Sequence, residues 1–193
     1  GENDDIIPLL YQTGYITIKS YNRDYRTYNL GFPNEEVKYG FLKSLVPEYM
    51  PSSIAGSGKS ILEIRKYADE GDTEMMKNAF TALFASIPYT DKNISYEHYF
   101  QTVIYLVFTL LGEYTHCEVH SSLGRADCVL ENWRHIYIFE FKMDESADVA
   151  LKQIADKEYA LPYKASNKKI HKIGVNFDSE KRKIVEWKEL VGL

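Results

Sequence analysis

The run Ile136-Tyr-Ile-Phe-Glu-Phe-Lys142 is apolar except for one acid and one base. Its β-branched and aromatic residues predict a buried strand. Because side chains alternate across a strand, Glu140 and Lys142 should project to one face. Phe139 and Phe141 should then pack on the opposite face. A buried charge needs a partner or a metal ion, so this strand is a candidate for a functional site as well as for the core.

A second acid stands alone in the preceding run, Arg125-Ala-Asp-Cys-Val-Leu130. If this run is a strand paired with the first, Asp127 can lie next to Glu140. Two neighbouring carboxylates repel each other, and a Mg²⁺ ion relieves that repulsion while keeping several waters. We therefore expect Asp127 and Glu140 to bind Mg²⁺, or Mn²⁺, with the carbonyl oxygen of Phe141 as a further ligand. Lys142 would orient or deprotonate a water, or stabilise charge that develops on a phosphate.

Five more polar residues are candidates for the same site. Glu97, in the first turn of a predicted helix, could add a carboxylate, although such a residue is as often just a helix-start acid. Arg125 lies two residues before the lone acid of its strand, on the same side, and could bind a phosphate. Gln153 and Lys157 are four residues apart on a predicted helix and could bind water or phosphate, with Tyr159 nearby. Two alternatives stay open: Gln153 and Lys157 could form a solvated helix face, and Tyr159 could be a core residue.

The predicted elements from residue 95 onward alternate between helix and strand in the order α-β-β-β-α-β-β. Three consecutive strands followed by one helical crossover predict an α/β fold, with a mixed central sheet flanked by helices. The predicted helices cover 95–111 and 146–160, and the predicted strands cover 114–120, 125–130, 135–142, 169–177 and 183–187.

The first half of the chain is predicted to form separate pieces. Residues 14–30 are rich in β-branched and aromatic residues around a polar turn, which predicts a β-hairpin, and Asn34 can cap a following helix. We expect a hairpin-helix piece over 1–50, a helical linker or subdomain over 51–90, and the site-bearing domain over 91–193.

Composition limits the function classes. The net charge is −5, which argues against a protein that coats nucleic acid by charge alone. Residues 152–183 nevertheless carry nine Lys/Arg against four Asp/Glu, so a basic face suited to a polyanion, or merely a solvated surface, is expected there. No apolar run is long enough to span a bilayer, and the two cysteines give no disulfide framework. We expect a cytoplasmic protein without a membrane segment.

Three segments resemble the motifs of the PD-(D/E)XK nuclease superfamily. They are Gly124-Arg-Ala-Asp127, Ile138-Phe-Glu-Phe-Lys142 and Ala150-Leu-Lys-Gln-Ile154, with Lys157 and Tyr159 following. The resemblance implies a restriction-endonuclease-like core (αβββαβ). It also implies divalent-metal-dependent hydrolysis of nucleic-acid phosphodiester bonds, with DNA as the expected substrate.

More narrowly, the chain resembles the nuclease domain that follows an AAA-ATPase-like domain in a bacterial family common in Bacteroidetes. Leu10-Tyr-Gln-Thr-Gly-Tyr-Ile-Thr-Ile18 and Leu30-Gly-Phe-Pro-Asn-Glu-Glu-Val37 resemble the junction after that ATPase part. The resemblance implies that residues 1–50 are the tail of such a domain, which would be a partner of the nuclease. One departure is Ala126, which stands where the signature has a proline.

Several alternatives stay open at this point. Glu140 and Lys142 could be a structural ion pair on a strand face. The chain could be a nuclease-fold module that binds nucleic acid without cutting it, or that regulates an ATPase. A third alternative is an interaction protein whose Tyr-rich N-terminal piece mediates assembly. The 16 tyrosines are expected to be packing and interface residues rather than a base-stacking platform, and the histidines to be structural or surface residues. Whether the protein forms a homo-oligomer is also open.

Overall fold

The computed structural model describes residues 6–49, 57–85, 96–112, 116–119 and 127–192. The chain separates into two compact units. We call residues Gly1–Leu45 the hairpin unit and residues Val46–Leu193 the core unit.

The hairpin unit contains the predicted β-hairpin and the start of the predicted capped helix. Its elements are α1 (Ile6–Gln12), β1 (Thr17–Asn22), β2 (Thr27–Gly31) and the beginning of α2 (Glu35–Tyr49). The two strands pair antiparallel. Asn34 caps α2, because its Oδ1 accepts a hydrogen bond from the backbone N–H of Val37 at 2.8 Å. Phe41 of α2 packs against the rings of Tyr15 and Phe32 at 5.2 and 5.6 Å, which gives the unit a small aromatic core.

In its described residues, the core unit contains four further helices and a five-stranded sheet. Its elements are α3 (Ser57–Glu70), α4 (Thr73–Ala85), α5 (Tyr96–Leu111), β3 (His116–Val119), β4 (Cys128–Glu131), β5 (His135–Met143), α6 (Ala147–Asp156), a 3₁₀ turn (Leu161–Tyr163), β6 (Lys169–Asp178) and β7 (Lys183–Gly192).

The sheet has the strand order β3-β4-β5-β6-β7. The pairs β3–β4, β4–β5 and β6–β7 are antiparallel, whereas β5 and β6 are parallel. Parallel neighbours cannot be joined by a tight turn, and α6 supplies the crossover between them. The expected α/β class with a mixed sheet is confirmed. Strand β7 runs five residues beyond its predicted end at Trp187. Leu190 and Val191 are both exposed, so this stretch lacks the alternation of buried and exposed residues that predicts a strand.

One face of the sheet is covered by an aromatic core. Phe80 of α4 packs against Phe108 of α5 at 5.5 Å, Trp187 of β7 at 5.8 Å and Phe139 of β5 at 6.0 Å. The hydroxyl of Tyr137 donates to the carbonyl oxygen of Ala68 on α3 at 2.7 Å. Helices α3 and α4 therefore share one core with the sheet, within the unit that begins at Val46.

Helix α5 is buried on most of the sides that the structure describes. Val103, Phe108 and Leu111 are fully buried, and the N–H of Gly112 closes the helix on the carbonyl of Phe108 at 3.1 Å. Within the described ranges, every helix falls short of the length and hydropathy that a bilayer crossing requires.

Helix α6 covers the opposite face of the sheet. Its apolar residues join one buried cluster of side chains: Val129, Ile136, Ile138, Leu151, Ile154, Tyr159, Ala160 and Ile170. The helix ends at Asp156 instead of near residue 160, because Glu158 has a positive φ of 52° that stops a right-handed helix. Gly174 of β6 lies under the start of α6, where an added Cβ would be 2.4 Å from the carbonyl oxygen of Ala147. This glycine lets α6 approach the sheet beside Glu140, which pairs with Gly174 in the β5–β6 register.

Candidate active site

Strand β5 separates its polar and aromatic side chains as the alternation predicts. Glu140 and Lys142 share the face toward α6, where the ammonium of Lys142 lies 3.2 Å from Oε1 of Glu140. Phe139 and Phe141 occupy the other face with ring centroids 5.9 Å apart and ring planes 2° apart. Both phenyl rings also contact Phe108 of α5. Packing on the aromatic face therefore fixes the direction in which the acid and the base point.

Asp127 immediately precedes β4 and lies next to the middle of β5. Cys128 pairs with Phe139, and Asp127 is one residue beyond that pair on the side of Glu140. Its Oδ2 accepts a hydrogen bond from the backbone N–H of Phe141 at 2.8 Å. Strand β5, which carries Glu140, thus also holds the carboxylate of Asp127 in place.

The electrostatics of the two acids disfavour their charged forms. Burial, followed by the charge of Asp127, raises the pKa of Glu140 to about 7, although Lys142 opposes the shift. Burial also raises the pKa of Asp127, against the N–H of Phe141 and the charge of Lys142. Glu140 is 1% exposed, and its Oε2 is a buried atom without a hydrogen-bond partner among the residues that the structure describes. One lysine is not enough to compensate two carboxylates in this position.

Lys142 is held in place from α6. Its ammonium donates to Oε1 of Gln153 at 2.7 Å, in addition to its bond with Glu140. The amide nitrogen of Gln153 in turn donates to the hydroxyl of Tyr159 at 3.3 Å. Tyr159 is 8% exposed and belongs to the apolar cluster under α6. A chain of contacts therefore runs from the core through Gln153 to the lysine and the buried acid.

The structure brings together Asp127, Glu140, Lys142 and Gln153. Tyr159 lies behind Gln153, where it is buried, while Lys157 is exposed at the C-terminal cap of α6. Gln153 and Lys157 therefore differ in exposure although they are four residues apart, because Gln153 turns its side chain toward the sheet.

Two predicted site residues lie outside the described part of the structure, namely Arg125 and the side chain of Glu97. Their roles, and that of the Phe141 carbonyl as a ligand, stay predictions.

Three residues position α6 but were not predicted from the sequence. The carboxylate of Glu186 accepts from the N–H of Ala147 at 2.8 Å, and Asn176 accepts from the N–H of Glu145 at 3.2 Å. Gly174 provides the close approach of helix and sheet. Asn176 could have been found, because it is a lone amide within the apolar stretch of β6 and is 8% exposed. Glu186 gives no such signal, since β7 is an edge strand with several charged residues.

A second polar cluster lies on the aromatic face of the sheet. His171 is buried, its ring nitrogens lie 2.9 Å from Nδ1 of His135 and 2.5 Å from Oε1 of Glu189, and Thr73 donates to the other oxygen of Glu189. These contacts tie β5, β6 and β7 to the start of α4, in keeping with the structural role expected of the histidines.

In the described part of the site, the ligands available for a cation are the two carboxylates of Asp127 and Glu140. Among the described residues, no three His, Cys, Asp or Glu side chains are grouped as a metal cluster. The unpartnered Oε2 of Glu140 and the neighbouring carboxylate of Asp127 nevertheless fit a hard divalent cation, which prefers oxygen ligands and neutralises adjacent anions.

Comparison with known proteins points to the same region. Residues 95–187 match the family model of the PD-(D/E)XK nuclease superfamily, and all four clustered site residues lie within the match. The chain is also 36% identical over 185 residues to an "Uncharacterized protein in vnfD 5'region" of Azotobacter chroococcum mcd 1. The alignment covers 92% of this chain and 36% of that relative, so the chain spans about a third of the length of the curated protein that it matches. The match agrees with the resemblance to this superfamily that the sequence motifs show.

Proposed function

We propose that this chain is a divalent-metal-dependent nuclease that hydrolyses the phosphodiester bonds of DNA. The observation that carries the proposal is the buried Oε2 of Glu140, which has no partner among the described residues and lies on a strand anchored to a second carboxylate. An ordinary ion pair between Glu140 and Lys142 would not require Asp127 beside it. The match of residues 95–187 to a nuclease superfamily supports the same function.

Asp127 and Glu140 would hold Mg²⁺ or Mn²⁺, with the carbonyl oxygen of Phe141 as a further ligand, and Glu97 would add another carboxylate. When bound, such a cation stabilises negative charge on the scissile phosphate and lowers the pKa of a water molecule. Oxygen ligands and a low ligand count fit Mg²⁺, which keeps much of its water shell in proteins.

Lys142 is the residue that we assign to the substrate. An ammonium has three N–H donors, and Glu140 and Gln153 use two of them. The third donor can bind a phosphate oxygen or orient the attacking water. Gln153 fixes the lysine, and Tyr159 fixes Gln153, so the donor is in place before substrate arrives. We assign the outer contacts to the substrate backbone to Arg125 and Lys157.

The wider context of the chain is also a proposal. On the sequence resemblance, we infer that the hairpin unit is the tail of an AAA-ATPase-like domain and that the nuclease works beside such a domain in the bacterial cytoplasm. The greater length of the Azotobacter relative leaves room for a further domain in a protein of this type.

A cleavage assay tests the proposed function. Single- and double-stranded DNA is incubated with Mg²⁺, Mn²⁺ or a chelator, and with Glu140→Gln and Lys142→Met variants. Asp156→Asn is the matched control, because Asp156 is an exposed acid at the end of α6. We expect metal-dependent cutting that falls at least about 100-fold in both site variants and is unchanged in the control. DNA binding without cutting would instead identify a non-cleaving module.

A further inference from the structure

The hairpin unit displays three tyrosines that its own core does not use. Tyr21 and Tyr28 are 47% and 60% exposed, and Tyr25 in the turn between them is 78% exposed. The core contacts of this unit are made instead by Phe41 with Tyr15 and Phe32. Three exposed aromatic side chains on one hairpin form a patch of the kind that marks an interaction site.

Tyr21 and Tyr28 form a pair across the hairpin. They are direct partners in the register of β1 and β2, so both rings stand on one face of the two-stranded sheet. Their ring centroids are 4.8 Å apart and their planes are tilted by 35°. Despite this contact, Tyr21 and Tyr28 remain 47% and 60% exposed. The pair is therefore a preformed aromatic platform, whereas the sequence alone favoured packing and interface roles for the tyrosines.

The turn beside this platform is basic. Arg23 and Arg26 are exposed, and neither guanidinium has an ion pair or hydrogen bond among the described residues. With Lys19 on β1 and Asp24 as the one acid between residues 17 and 31, the hairpin carries +2 on a chain of net charge −5. Unpaired cations on an acidic protein mark a place where an anion is expected.

The turn has a defined shape. Oδ1 of Asn22 accepts from the backbone N–H groups of Asp24 at 3.0 Å and Tyr25 at 3.2 Å. Arg26 adopts a positive φ of 52°, which returns the chain into β2. Asn22 thus holds the turn that displays Arg23, Tyr25 and Arg26, so little ordering is needed when a ligand binds.

We propose that the hairpin Thr17–Gly31 binds single-stranded nucleic acid, with a base stacked on the Tyr21–Tyr28 pair and the flanking phosphates held by Arg23 and Arg26. Aromatic platforms beside cationic side chains fit this ligand, because every base has a flat face and every nucleotide a phosphate. In a duplex those base faces are covered by neighbouring base pairs, so the platform selects unpaired strands. If the bound single strand is also the substrate that the nuclease cuts, the proposal rests on the proposed function. Binding by the hairpin itself does not depend on cleavage.

Binding is measured on the full chain by fluorescence anisotropy with a labelled oligothymidylate, in chelator so that cleavage cannot occur. The Tyr21→Leu/Tyr28→Leu variant should bind about tenfold more weakly, since stacking is lost while apolar bulk remains. The Tyr21→Phe/Tyr28→Phe variant keeps both rings and should bind like the wild type, which separates stacking from a folding defect. Tyr105→Leu, at an exposed tyrosine on α5, is the control and should have no effect.

The charge contribution is tested by salt. Arg23→Gln/Arg26→Gln should reduce the slope of log affinity against log salt concentration by about 1.4, as expected for two lost phosphate contacts on a single strand. Lys66→Gln, an exposed cation on α3, should leave the slope unchanged.

Two results would overturn the proposal. One is equal affinity of the wild type and the leucine variant for the oligothymidylate. The other is tighter binding of a duplex of the same length. Either result would indicate that the hairpin binds a protein partner instead. Cleavage with unaltered binding in the hairpin variants would reject this proposal alone. Binding that depends on the hairpin without any metal-dependent cleavage would reject the nuclease assignment alone.

Discussion

The backbone N–H of Phe141 donates to Oδ2 of Asp127 across 2.8 Å, so the two acids of the site are joined through the backbone of one strand. Asp127 immediately precedes β4 and Glu140 lies in the middle of β5, and neither position alone would indicate a site. The hydrogen bond uses one oxygen of Asp127 and directs the carboxylate toward β5. The second oxygen is the one that we assign to the cation.

Replacing Asp127 by asparagine should separate its structural role from its charge. Asparagine keeps a carbonyl oxygen for the N–H of Phe141, so the metal-free protein should change in stability by less than about 1 kcal/mol. Affinity for Mn²⁺, measured by calorimetry, should fall at least about tenfold because one anionic ligand is lost. Asp127→Ala also removes the acceptor and should lower the melting temperature. Unchanged Mn²⁺ affinity in Asp127→Asn would exclude this residue as a ligand.

Removal of the Glu140 charge should stabilise the metal-free protein at alkaline pH. Burial raises the pKa of Glu140 from 4.5 to about 7. A group whose pKa is higher in the folded state stabilises the fold below its unfolded pKa, and this contribution is lost as the pH rises from 4.5 to 7. In chelator at pH 8, Glu140→Gln should therefore exceed the wild type in unfolding free energy by about 3 kcal/mol. The difference should shrink toward pH 4.5.

Urea denaturation at several pH values measures this difference. Asp156→Asn is the control and should change the unfolding free energy by less than about 0.5 kcal/mol. A Glu140→Gln variant that is less stable than the wild type at pH 8 would mean that the pair with Lys142 is chiefly structural.

Tyr159 should influence catalysis without contacting substrate. Tyr159→Phe removes the hydroxyl that accepts from Gln153 while keeping the ring in the apolar cluster. The loss of one hydrogen bond costs about 1 kcal/mol, so cleavage should slow about fivefold through a looser Lys142. The fall should appear in kcat, with little change in KM. Tyr105→Phe, at an exposed tyrosine, is the comparison, and an equal loss in both variants would disprove the positioning role.

Gly174 should tolerate no side chain. The Cβ of Gly174→Ala would lie 2.4 Å from the carbonyl oxygen of Ala147 and 3.0 Å from Cγ of Leu151, so α6 must shift. Overpacking of this kind costs about 1 to 3 kcal/mol, which thermal unfolding would detect. Cleavage should fall as well, because Gln153 moves with the helix. Gly192→Ala on β7 is the matched control, with nothing within 4 Å of its Cβ, and the same loss there would refute the steric cause.

The centre of the site could be predicted from the sequence because it follows a local rule. Glu140 and Lys142 are two residues apart on one strand, and strand alternation alone puts them on one face. The pairing of β4 with β5 could also be predicted from the sequence, because two apolar runs joined by a short connection form an antiparallel pair. The same rules gave the mixed sheet and the helical crossover.

The rest of the site depends on packing over long sequence distances. Tyr159 reaches Gln153 only because α6 ends early and the chain turns at Glu158, whose positive φ has no sequence signature in a glutamate. The division of the chain after Leu45 depends on Phe80 of α4, which packs on β5 and β7 far along the chain. Helix periodicity shows that α4 has an apolar face but not which surface that face covers.

The central claim is that Asp127 and Glu140 together hold a divalent cation. A crystal soaked in Mn²⁺, with anomalous density measured at the site, tests it most directly. We expect one peak within about 2.2 Å of a carboxylate oxygen from each residue. An anomalous peak elsewhere on the molecule, or none between these two side chains in a crystal that is saturated with Mn²⁺, would contradict the claim.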